Sequence, residues 1–138
     1  MAVNPVGFVC PYDGAVPRTV TCKAIETISD GQLCVVSGAA NAISSGLNSL
    51  SADDILVVTG ASGGDFNGIA VNTATSGNYV ALQTRGMVVL RAGGTVTNGA
   101  TVAPNGSDDV IETTTAGQGI GKAWSNATSG GFVLVELR

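Results

Sequence analysis

Ala74-Thr-Ser-Gly-Asn-Tyr-Val-Ala-Leu-Gln-Thr-Arg85 returns near the end of the chain as Ala127-Thr-Ser-Gly-Gly-Phe-Val-Leu-Val-Glu-Leu-Arg138. Self-similarity at long period marks a protein built by copying one unit, and such units pack together because each cannot bury its apolar face alone. The echo reaches backwards. Gly68-Ile-Ala-Val-Asn precedes the first copy and Gly119-Ile-Gly-Lys-Ala-Trp the second, implying a two-residue difference in the connecting turn. Ser29-Asp-Gly-Gln-Leu-Cys-Val-Val-Ser-Gly38 likewise matches Thr97-Asn-Gly-Ala-Thr-Val-Ala-Pro-Asn-Gly106. Each half reads as turn, strand, spacer, strand, turn, strand, with a longer spacer in the first (Ser44 to Gly64) than in the second (Ser107 to Gly117). Chance likeness of two Val/Thr/Gly-rich segments is the plain alternative.

The strands follow from the same stretches. Thr19-Val-Thr-Cys-Lys-Ala-Ile-Glu-Thr-Ile28 alternates, with Val20, Cys22 and Ala24 on one face and Thr19, Thr21 and Lys23 on the other, the period of a half-buried strand. Asp30-Gly31 then turns the chain into a strand over Gln32–Ser37. Further strands are expected at Ile55–Thr59, Gly68–Asn72, Tyr79–Thr84, Met87–Arg91, Thr101–Ala103, Val110–Glu112, Gly119–Trp124 and Phe132–Leu137, each bounded by Gly, Asn-Gly or Ser-Gly. Short strands at this spacing, without a helical period, predict an all-β fold: a small β-barrel or sandwich built from two similar halves. Residues 38–54 read as loop, with Ser51-Ala-Asp-Asp54 able to cap a short helical turn.

Residues 1–17 form a separate region ahead of the 18–138 domain. Pro5, Pro11 and Pro17 with Gly7 and Gly14 exclude a helix and predict an extended arm. Val6, Phe8, Val9 and Tyr12 give it apolar anchors for a partner surface; a disordered tail is the alternative.

Composition limits the chemistry. The chain has 138 residues, 44% of them hydrophobic but only 4% aromatic, so Val, Ile, Leu and Ala must fill its core. Only 12% are charged, well below the usual quarter or so, which points to a surface partly covered by other protein. A net charge of −4 with Arg18, Lys23, Arg85, Arg91, Lys122 and Arg138 scattered argues against nucleic acid. No apolar run is long enough to cross a bilayer, and the start of the chain lacks the features of a secretory signal, so synthesis in a cytoplasm is expected.

Histidine is absent, which removes the commonest general base and zinc ligand, and neither a catalytic residue, a metal site nor a cofactor is expected. Asp53-Asp54 and Asp108-Asp109 are adjacent pairs whose side chains diverge in a strand, and they read as turn residues. Gly117-Gln-Gly-Ile-Gly121 precedes a strand instead of a helix, so its glycines read as a bulge or close approach, not a phosphate loop. Cys10, Cys22 and Cys34 read as buried free thiols, with an intersubunit or redox disulfide as the sharper alternative. Tyr79, Trp124 and Phe132 are core or interface aromatics; an exposed Trp124 serving a sugar is the other reading.

The ordering of Asp30-Gly31 before an apolar strand, Gly68-Ile-Ala, Val80-Ala-Leu-Gln-Thr-Arg-Gly86-Met-Val-Val-Leu, Asn98-Gly-Ala-Thr-Val102 and Gly119-Ile-Gly-Lys-Ala with Val133-Leu-Val-Glu-Leu137 resembles the small capsid decoration, or cement, proteins of tailed bacteriophages, particularly a group known as a domain of unknown function. The resemblance spans about residues 18–138 and rests on structural glycines and apolar strands. It implies a non-enzymatic virion protein on the outer surface of the expanded capsid, bridging subunits of the major capsid protein as a homotrimer and using its N-terminal arm. A β-rich tail or fibre module that binds a receptor or glycan is the alternative.

Overall fold

The computed structural model describes residues 18–37, 55–60, 65–106 and 108–138. The arm, the residue 38–54 loop with its helical turn, and Asp53-Asp54 lie outside the described residues. No helix occurs among those described.

Ten strands form two closed five-stranded barrels in sequence order. The first holds β1 (Thr19–Ala24), β2 (Leu33–Val36), β3 (Leu56–Thr59), β4 (Gly68–Ala70) and β5 (Tyr79–Gln83). The second holds β6 (Gly86–Ala92), β7 (Thr101–Pro104), β8 (Asp109–Glu112), β9 (Gly121–Ala123) and β10 (Phe132–Leu137). Around the first the order is β1-β3-β2-β4-β5, and around the second β6-β8-β7-β9-β10. In both, the first strand runs parallel to the third and every other pair is antiparallel. Closure removes the open sheet edges that would otherwise recruit further chains. The all-β, two-half barrel expected from the repeat is what forms, and each half closes on itself.

The two barrels share their turn chemistry as well. Ile28 and Ala74 exchange backbone hydrogen bonds of 2.8 Å, and Val96 and Ala127 make the same pair at 2.8 and 2.9 Å. The Gly31 amide donates to the Ala70 carbonyl at 2.7 Å, as Gly99 does to Ala123 at 2.9 Å. The Asn72 side-chain oxygen accepts from the Ala81 amide; in the second barrel the Ser125 hydroxyl accepts from Leu134. Gly77 and Gly130 take φ of 89° and 83° at matching turns, the left-handed region where a side chain is strained.

This correspondence corrects one detail of the sequence reading. Gly68 matches Gly121, not Gly119, and the connecting turns are equal in length: Ala70, Asn72 and Ala74 fall on Ala123, Ser125 and Ala127. The reason is steric. A Cβ on Gly68 would lie 2.9 Å from Leu82 Cβ and 3.0 Å from the Gln83 carbonyl oxygen; one on Gly121 would lie 2.3 Å from the Glu136 carbonyl oxygen and 2.9 Å from Val135 Cγ1. Both glycines let a short strand cross closely over the closing strand of its barrel. Gly119 performs a different task, passing Thr101 so closely that a Cβ would meet its Cγ2 at 2.3 Å. The difference in length between the halves lies in the β2–β3 connection (residues 37–55) against the β7–β8 connection (residues 105–108).

Each interior is filled by the inward set of the alternation: Cys22, Ala24, Cys34, Val57, Ala70, Val80 and Leu82 in the first, with Leu90, Ala92, Val102, Val110, Ala123, Val133 and Val135 at matching places in the second. The barrels join through residues on the outside of the first. Leu33 and Ile69 are fully buried, yet belong to the apolar cluster of the second barrel. Burial of each contributes about 2 kcal/mol. Gln83, the one buried polar residue among those described, donates from Nε2 to the Arg85 carbonyl at 3.0 Å and to that of Met87 at 3.4 Å, pinning the link between barrels. Gln32 Nε2 reaches Asp108 Oδ1 across the junction at 3.1 Å.

Candidate functional site

On the second barrel, alternation turns Val133, Val135 and Leu137 of β10 inward and leaves Phe132, Leu134 and Glu136 outward. Strand register then builds an outer face of three rows across β6, β10 and β9. Met87, Glu136 and Lys122 form one row and Arg91 with Phe132 another. The middle row is Val89, Leu134 and Trp124, the last hydrogen-bonding through its amide to the Leu134 carbonyl at 2.7 Å.

Trp124 is 56% exposed and Phe132 45%. Both are held in place despite that. The Trp124 indole N–H donates to Glu136 Oε1 at 3.2 Å, the same oxygen that Arg138 approaches at 3.5 Å. The Arg91 guanidinium lies 5.5 Å from the centre of the Phe132 ring, within cation–π range. In the first barrel Tyr79 is 51% exposed and faces Lys23 across the strands, at the places of Phe132 and Arg91. Of the sequence-predicted site residues, the structure therefore brings Trp124 and Phe132 onto one face and puts Tyr79 on the other barrel. None of the three is in the core. Val6, Phe8, Val9 and Tyr12 lie outside the described residues. Sequence reasoning missed Val89 and Leu134, which a position-by-position comparison of the two copies would have found: the matching residues are Thr21 and Ala81.

The remaining candidates are structural. Asp108 bonds Gln32 and Asp109 accepts from the Asn105 side chain at 3.0 Å, so the neighbouring carboxyls serve two different tasks. Cys22 and Cys34 are free and buried, at the places of Leu90 and Val102. Burial pushes the Cys22 thiol up and that of Cys34 up to about 12, which suits small apolar fillers and not nucleophiles. Cys10 lies outside the described residues. The Thr59 hydroxyl and amide both donate to Glu26 Oε1 at 2.7 Å and hold its carboxyl below its ordinary value. A groove beside β7 is lined by Ala100, Thr101, Glu112, Thr113, Thr115 and Gly119, with one carboxylate that already accepts from the Thr97 amide. Among the described residues no group of acids and thiols converges as a metal-ligand set. Among the described residues the arrangement offers contact surface and no paired acid–base groups.

Comparison with known proteins agrees with that character. Residues 13–137 match the family model described as phage cement protein. No curated protein matches. Among solved structures, the N base of the head fibre protein gp8.5 of bacteriophage phi29 superposes with a TM-score of 0.60 at 16% identity, covering 89% of this chain and 95% of that one. At that identity the likeness is one of fold.

Proposed function

The chain belongs to the phage cement protein family, and from that membership we propose how it works. It is a structural protein of the virion that decorates the capsid and stabilises it. The family match over nearly the whole described chain carries this conclusion. The finer reading is that the protein sits on the outer surface of the expanded shell, bridges neighbouring subunits of the major capsid protein, assembles as a trimer and performs no reaction.

The physics supports that reading. A protein that binds only one state of a lattice stabilises that state by mass action, and each further copy adds to the effect. Two closed barrels joined by an apolar seam are stiff, so little ordering entropy opposes docking. The arm, residues 1–17, would add Val6, Phe8, Val9 and Tyr12 as anchors, with main-chain hydrogen bonds available to an extended segment.

Capsids assembled without the protein are expected to release their DNA at lower temperature than decorated ones, and adding the purified chain is expected to remove the difference. Deleting residues 2–14 should then lower occupancy. Unchanged heat release with and without bound protein would overturn the stabilising role; unchanged occupancy of the deletion variant would remove the arm from it.

A further inference from the structure

The two barrels agree inside and disagree outside, and the disagreement is concentrated. Where the second barrel presents Val89, Leu134 and Trp124 in the middle row of its β6–β10–β9 face, the first presents Thr21, Ala81 and Val71. Copying a unit gives both halves the same outer residues at the start, so a large apolar row on one half alone marks a place where the copies have diverged. Leu134 and Val89 are half-buried by their neighbours, while Trp124 and Phe132 stand out from them as anchors.

Two further observations say what covers this face. Arg91, Lys122 and Arg138, three of the six cations in the chain, surround it; of the described acids beside them, Glu136 is engaged by Trp124 and Arg138, and Asp109, across from Arg91 on β8, accepts from the Asn105 side chain. The face is thus apolar at its centre, with three cations against two engaged carboxylates at its rim, on a protein of net charge −4. Such a rim repels a copy of itself, which disfavours pairing of this face with the same face of a second molecule, and it attracts an acidic border. Anchors already held by a hydrogen bond and a cation–π contact lose little freedom on docking, and Trp and Arg are the residue types that dominate protein–protein affinity.

We propose that the outer β6–β10–β9 face, with Trp124 and Phe132 as anchors and Arg91, Lys122 and Arg138 as its rim, is a docking surface for an apolar patch with an acidic border on the capsid shell. This rests on the decoration reading and gives the folded domain a contact independent of the arm. The first barrel has no such surface at the matching place, so each molecule grips by one barrel.

The test is co-sedimentation of the full-length protein with purified shells that lack it. Trp124→Ser/Phe132→Ser should weaken binding at least about tenfold. Arg91→Glu/Lys122→Glu should weaken it too and flatten its dependence on salt. Val71→Ser/Tyr79→Ser, the matching change in the first barrel, should leave binding within about twofold of wild type. Thermal unfolding of each variant separates lost contact from lost fold; all replaced side chains are at least partly exposed. Wild-type protein that ignores the shells would sink the decoration reading itself. If wild type binds and the Trp124/Phe132 variant binds equally well, the docking surface is overturned while decoration stands. Retained shell binding with a changed sedimentation coefficient would reassign the face to a second copy, and retained shell binding with loss of a glycan-array signal would reassign it to a sugar; either overturns the proposal.

Discussion

The first barrel hides a side of itself that the second leaves in water. Leu33, Ile69 and Gln83 lie at the seam, while their counterparts Thr101, Lys122 and Glu136 lie on the open face of the second barrel. Inside, the sets are nearly interchangeable: Ala24 with Ala92, Val57 with Val110, Val80 with Val133. A duplicated fold is therefore held by inward residues and turn glycines, which both copies need, and its assembly is written in outward residues, which each copy is free to change. The polar row Thr101, Lys122 and Glu136, at one edge of that face, also ends the stack. Apolar residues there would invite the first barrel of another molecule to dock as the second barrel does within one chain, an open-ended contact that leads to fibres.

The sharpest way to break this comparison is to give the first barrel the second barrel's residue. Ile69→Lys places at the seam the side chain that its counterpart carries in solvent, and a buried unpaired ammonium should cost more than about 3 kcal/mol. The reverse change, Lys122→Ile, should alter stability by less than about 0.5 kcal/mol. Urea unfolding of both variants checks the pair. Equal losses would mean that the seam is not where the barrels differ.

A smaller effect sharpens the matched glycines. Ala at position 121 pushes a Cβ toward the Glu136 carbonyl, a backbone atom that cannot step aside, and Gly121→Ala should cost about 2–3 kcal/mol. Gly68→Ala meets looser neighbours and should cost about 1 kcal/mol. The midpoint should shift in both without a change in the slope of unfolding. A Gly121→Ala variant as stable as wild type would remove the steric reason for aligning these two positions.

How far the sequence could be read follows from which signals are local. The strands were legible because period-two alternation and turn glycines are local: Val20, Cys22 and Ala24 do turn inward, and all ten expected strands form. The repeat was legible too, but its alignment slipped by two residues at Gly119 because that stretch carries three glycines, and only the approach of Glu136 and Val135 tells which of them crosses the closing strand. That each half closes its own barrel depends on the parallel pairing of Lys23 with Leu56 and of Arg91 with Asp109, contacts between distant residues that no local pattern announces. The outer face was half legible. Trp124 and Phe132 stood out as aromatics, whereas Val89 and Leu134 look like any strand residue until register places them between the two.

The mildest test concerns how each barrel ties its first connection to its third strand. In the first barrel Glu26, before β2, accepts from the amide and hydroxyl of Thr59 on β3; in the second the direction is reversed, and Glu112 on β8 accepts from the Thr97 amide before β7. Hydrogen bonds from Thr59 hold the Glu26 carboxyl below its ordinary value of 4.5 in the folded protein. A folded value below the unfolded one means that the unfolded chain binds the proton more tightly. The clamp therefore contributes fully above pH 4.5 or so, and its contribution fades as the pH falls through the lower folded value. Glu26 is exposed, so solvent screens the effect and the loss is small. Glu26→Gln should remove that part of the acid sensitivity and leave the stability at neutral pH only slightly reduced. Melting temperatures of wild type and variant followed from pH 7 down to pH 3 should converge; parallel curves would show that the Thr59 clamp adds nothing to the first barrel.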